Sequence, residues 1–139
     1  MNIERIRGTY QGTGEWYDSA GKSMAYRVSQ TNCVTADGFE IAFKHDFDDR
    51  TQTDARFVMT WIAPNLFSVR IGNNAVGHGY CIGNSCSYHI KTGDAFVEVS
   101  YRPDDQNLEV YGSSTKNAEG NYIAWHERLG RVEIKATQG

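Results

Sequence analysis

Four histidines, three cysteines and a scatter of carboxylates carry most of the reactive chemistry in this 139-residue chain. Their spacing is most informative from Val76 to Ile90. There Gly83-Asn84 has the form of a two-residue hairpin loop whose first position requires glycine. Such a loop sets Cys81 opposite Cys86 in a non-hydrogen-bonded pair, the closer of the two antiparallel pairings. A disulfide is then within reach, and one at a hairpin tip would be of the reducible kind. Two reduced thiols, as in a cytosolic hairpin, are the favoured reading. The same register sets His78 across from His89. Two imidazoles so placed can share a metal ion or repel one another when protonated. A metal needs a third ligand, and no carboxylate falls on that face of the hairpin; two solvent-facing histidines are the plainer reading. Gly79 faces Tyr88 and Gly77 faces Ile90 in this pairing.

A second candidate stretch is Asn121 to Leu129. Alternation puts Tyr122, Ala124, His126 and Arg128 on one face and Ile123, Trp125, Glu127 and Leu129 on the other. An imidazole and a guanidinium in a mainly apolar cavity would be how a ligand pocket is built. An unpaired buried carboxylate is costly, which turns His126 inward and Glu127 outward, although Trp125 and Leu129 argue the reverse. Elsewhere the chemistry is thin. No nucleophile elbow, zinc spacing or phosphate-binding glycine loop is present. Asp46, Asp48 and Asp49 cluster in the manner of a hard-cation site, but without the glycine and terminal glutamate of a calcium loop.

The elements that must hold these residues are strands. Only Leu66, Leu108 and Leu129 are leucine, against 9 Val, 9 Ile, 10 Thr and 17 aromatic residues. Such side chains suit a pleated surface. Turn signals recur about every ten residues, the spacing of a sandwich or barrel. Strands are predicted near 8–17, 22–34, 39–47, 56–63, 66–72, 76–82, 85–91, 95–102, 107–115 and 121–134. Turns include one from Asn117 to Asn121. Ten antiparallel strands with short loops close into an up-and-down barrel, which leaves no exposed edge. One domain spans residues 1–139, with a turn of helix over 2–7 plugging one end.

Phe39, Ile41, Phe43, His45 and Phe47 share one face of their strand, which is therefore half-buried. Around Pro64-Asn65, a two-residue loop pairs Ile62 with Phe67, Thr60 with Val69 and Val58 with Ile71. The opposite face then carries Phe57, Met59 and Trp61, so both faces of this hairpin are apolar. One of them lines the barrel, and the other becomes a subunit interface or an exposed patch.

Charge narrows the partners. The net charge of −3 comes without a basic run, which argues against nucleic-acid binding. No apolar run is long enough for a transmembrane helix, no signal peptide is evident, and three cysteines are too few for a secreted disulfide scaffold. A cytoplasmic location is the expectation.

Gly8-Thr9-Tyr10-Gln11-Gly12-Thr13-Gly14-Glu15-Trp16, followed by Asp18-Ser19-Ala20-Gly21-Lys22, resembles the opening of lipocalin-like (calycin) barrels, with Tyr10 at the position of their tryptophan. That resemblance implies a final-strand arginine, Arg128 or Arg131, packed over Tyr10. The chain is also similar to ten-stranded nitrobindin-like barrels, which would imply haem held by a histidine near the C-terminal end, here His126.

The expected function is binding of a small apolar or amphipathic molecule in the barrel. Its candidate lining is Phe43, His45, Phe57, Met59, Trp61, Arg70, Tyr80, Tyr101 and His126, with Arg70 or His126 orienting a polar end. An isomerase, cyclase or lyase using histidine and arginine in the same barrel is one alternative. A homodimeric structural protein with a filled barrel is another.

Overall fold

The computed structural model describes residues 2–116 and 119–132. Ten strands follow one short 3-10 helix, Ile3–Ile6: β1 (Gly8–Asp18), β2 (Ser23–Val34), β3 (Gly38–Phe47), β4 (Gln52–Ala63), β5 (Leu66–Ile71), β6 (Asn74–Ile82), β7 (Ser85–Thr92), β8 (Ala95–Pro103), β9 (Asn107–Ser114) and β10 (Ile123–Arg131). Each strand pairs antiparallel with its neighbour in sequence, and β1 pairs with β10 to close the ring. Positions 117, 118, 133 and 134 of the expected turn and final strand lie outside the described residues. No described helix is long and apolar enough to cross a membrane.

Alternation sorts side chains between core and solvent. Tyr26, Val28, Gln30 and Asn32 of β2 are buried while the residues between them are exposed. The same rule carries Phe39 and Ile41 of β3 and Glu127 and Leu129 of β10 inward. The β6–β7 pairing is the expected one: Cys81 faces Cys86, His78 faces His89, and Gly83 takes the positive φ of 61° that its loop position demands. The two sulfurs are bonded to each other inside the barrel, where Cys81 and Cys86 are both buried.

One register differs from expectation. In the β4–β5 hairpin Trp61 pairs with Phe67, Thr60 with Ser68, Met59 with Val69 and Val58 with Arg70, with an irregularity between Trp61 and Ala63. A bulge at Ile62 absorbs one residue, and a one-residue slip exchanges the faces of a strand. Phe57, Met59, Phe67 and Val69 therefore all point into the barrel, and Arg70 points out. The second apolar face disappears, and with it the observation that suggested a subunit interface there.

The barrel has a packed end and a hollow end. At the packed end the 3-10 helix lies over the opening and Ile6 is buried. Its carbonyl accepts from Tyr10 Oη at 3.1 Å and from Asn32 Nδ2 at 2.8 Å. Arg131 lies 5.1 Å over the Tyr10 ring and donates to the carbonyls of Arg5 and Arg7. That is the arginine-over-aromatic arrangement implied by the calycin resemblance, made by Arg131; Arg128 is exposed and pairs with Glu109 instead. Below the plug, Leu108, Leu129, Phe39, Phe67 and Met59 fill the interior.

Candidate functional site

A cavity of about 530 Å³ occupies the other half of the barrel. It is the size of a small-molecule pocket. Aromatic rings supply much of its wall: Trp16, Tyr26, Phe43, Phe47, Phe57, Tyr88, Tyr101 and Trp125. Phe43 packs against His45 and Phe57, and Phe57 against Tyr88, with ring centroids 4.7–5.7 Å apart.

The polar centre of this wall is Glu127, only 2% exposed. Register explains how it is reached. Gly14 of β1 lies between Tyr26 of β2 and Glu127 of β10 in one row across three strands. A Cβ at position 14 would stand 2.5 Å from the Tyr26 ring, so only glycine lets that ring lie flat over β1. The Tyr26 hydroxyl thus passes over the gap and donates to Glu127 Oε2 at 2.7 Å. His45 Nε2 is 3.3 Å from the same oxygen. Deeper in the cavity the Tyr88 and Tyr101 hydroxyls are hydrogen-bonded at 2.9 Å.

Burial governs the protonation of these groups. It pushes the Glu127 carboxyl up to about 7, against the opposing pull of the Tyr26 hydrogen bond. Burial also lowers His45 to about 4, with the Asp46 charge opposing. His45 is therefore uncharged at neutral pH, and its contact with Glu127 is not an ion pair. Tyr26 is raised well above an ordinary phenol by burial and then by the Glu127 charge and hydrogen bond. Tyr88 and Tyr101 are raised by burial in the same way. At pH 7 the cavity holds a carboxyl near its titration point beside a neutral imidazole and a neutral phenol. Such a group can give or take a proton without a large penalty.

Four of the nine expected lining residues border this cavity: Phe43, His45, Phe57 and Tyr101. Met59 and Trp61 point inward but belong to the packed end, where Trp61 contacts Phe39 and Phe67. Arg70 and Tyr80 are on the outer wall, Arg70 because of the bulge at Ile62 and Tyr80 because Gly79 and Cys81 take the inward positions of β6. His126 is also outside, stacked on Tyr111 with centroids 4.6 Å apart and 3.3 Å from Glu109 Oε2. The desolvation cost that argued against an inward Glu127 is met by Tyr26 and by partial protonation. With His126 outside, the haem-holding role implied by the nitrobindin-like resemblance has no residue at that position facing the cavity.

Tyr26, Glu127, Trp16 and Trp125 went unrecognised as site residues in the sequence. The signal was present for Glu127: Trp125 and Leu129 share its face, and Gly14 leaves room for a partner.

His78 and His89 face solvent with ring centroids 6.0 Å apart. They border a shallow outer groove of about 720 Å³ with Tyr17, Phe96, Glu98 and Tyr122. No group of three metal-ligating side chains occurs among the described residues.

No protein-family model and no curated protein sequence matches the chain. Solved structures do. The S-type phycobiliprotein lyase CPES from Guillardia theta superposes with a TM-score of 0.77 at 12% identity, covering 96% of this chain and 92% of its own. Rv2717c from M. tuberculosis gives 0.69 at 10% identity, with 94% and 95% covered. A DUF3598-family protein of unknown function from Nostoc punctiforme gives 0.67 at 9% identity; 95% of this chain covers 49% of that one. At such identities the likeness is one of fold alone, and the fold is a closed ten-stranded antiparallel barrel.

Proposed function

We propose that the protein is a binding module that takes a small, largely apolar molecule into the hollow end of the barrel, its polar end toward Tyr26, Glu127 and His45. The carrying observation is the roughly 530 Å³ cavity, walled by aromatic rings beside one buried hydrogen-bonding cluster. An apolar ligand gains by leaving water for such a wall, and the cluster fixes its orientation. The test is titration with N-phenyl-1-naphthylamine, read as energy transfer from Trp16 and Trp125. Saturable one-to-one uptake is expected, and Ala55→Phe, which places a ring in the cavity, should abolish it. Absence of uptake, or uptake indifferent to Ala55→Phe in a folded variant, would overturn the proposal.

A second reading is an acid–base enzyme in the same barrel. It is favoured by the Glu127 carboxyl at about 7 beside Tyr26 and His45, and a barrel of like fold is named a lyase. Extraction of the purified protein separates the two. The molecule extracted from Glu127→Gln would be chemically changed on mixing with wild type if the site reacts, whereas a binding module would return it unchanged.

A further inference from the structure

Among the described residues, Glu127 is the one acidic side chain lining the cavity, and no described lysine or arginine joins it there. Arg70, Arg128 and Arg56 are on the outer wall, and Arg131 is committed to the plug. The nearest base, His45, is held neutral by burial. A carboxylate or phosphate entering this space would shed its water, meet no cation, and approach a buried acid. A nitrogen donor meets the reverse situation. Both described contacts of Glu127 fall on Oε2, and the Tyr26 hydroxyl, having given its proton to that oxygen, keeps lone pairs for another donor. Trp16, Trp125, Phe43 and Phe57 line the same cavity, and aromatic rings attract cations over their faces.

We propose that the cavity selects ligands whose polar end is a nitrogen donor, a protonated amine or a heterocyclic N–H, over carboxylates and phosphates of the same size. This deepens the binding-module reading and rests on it. The experiment is calorimetric titration at pH 8 with 2-naphthylmethylamine, 2-naphthylmethanol and 2-naphthoate, which share a ring system and differ in the polar end. The amine should bind about tenfold more tightly than the alcohol, the increment of a charge-assisted hydrogen bond, and the acid more weakly than either. In Glu127→Gln the ratio of amine to alcohol affinity should fall from about ten to about one.

Wild type at pH 5.5 supplies an independent readout. There Glu127 takes up a proton while the amine stays charged, so the preference should shrink. The other titratable groups facing Glu127 are Tyr26 from β2, His45 from β3, Tyr88 from β7 and Tyr101 from β8, and all are neutral at both pH values. An acid that binds as well as the amine, or an amine preference that survives both Glu127→Gln and pH 5.5, would overturn the inference while leaving cavity binding intact. Binding of none of the three overturns the cavity reading and this inference together.

Discussion

The two ends of this barrel are built from the same alternating strands and do opposite things with their inward residues. At the plugged end Tyr10, Phe39, Phe67, Met59, Leu108 and Leu129 are each 1% exposed or less. At the open end Phe43, Phe47, Trp16 and Trp125 are only partly buried, because they border empty space rather than each other. One end uses its aromatics to hold the ring closed, and the other keeps them facing a void. The same residue types thus serve stability or recognition according to which end of the strand they occupy.

The comparison breaks most readily by truncation. Tyr10→Ala should cost about 4 kcal/mol in denaturant unfolding, the scale for removing a large buried ring. Phe43→Ala at the hollow end should cost far less, since its atoms already border a cavity. Equal losses at the two positions would mean that the hollow end is no less packed.

Protonation gives the next largest effect. Glu127 titrates near 7 in the fold and near 4.5 when exposed, so its stabilising contribution is full below pH 4.5 and is lost as pH rises through 7. His45 titrates near 4 in the fold and near 6.5 when exposed, so its contribution is full above pH 6.5 and is lost as pH falls through 4. Between about pH 4.5 and 6.5 the two slopes cancel, and wild type should unfold at a nearly constant temperature. Glu127→Gln removes one of them. Its stability should climb with pH across that window by as much as about 3 kcal/mol, the equivalent of the His45 displacement. A flat profile in the variant would contradict this account.

Gly14→Ala should be smaller, about 2 kcal/mol, because the added methyl forces the Tyr26 ring off β1 and breaks its bond to Glu127. Uptake of a naphthylamine probe should weaken with it, which a purely structural glycine would not produce. Smallest is Arg131→Ala, about 1–2 kcal/mol, through loss of the ring contact and the bonds to Arg5 and Arg7. Hydrogen exchange should rise at Ile3–Ile6 and leave the hollow end unchanged; a rise at both would join what the comparison separates.

Much of the fold was legible because turn residues punctuate the strands so regularly. Gly83-Asn84 even disclosed the β6–β7 register, since a two-residue loop with glycine first admits one pairing. Pro64-Asn65 misled because a bulge two residues upstream leaves no mark of its own in a sequence. Half the site was legible for a related reason. Phe43 and His45 lie on a strand whose alternation is unambiguous, whereas β10 offers plausible inward residues on both faces. The tie there is broken by Gly14 and Tyr26, more than a hundred positions away in the chain, and no local pattern carries that information.

The bond that Tyr26 makes over Gly14 spans the seam where the first strand meets the last. The carboxyl in the cavity wall is therefore delivered by β10, the strand that closes the ring. Until that strand docks, the hollow end lacks its carboxyl, and Tyr26 is without the oxygen to which it donates. Ring closure and competence to bind would then arise in one step, so that a partly assembled barrel has no means of holding the molecule prematurely.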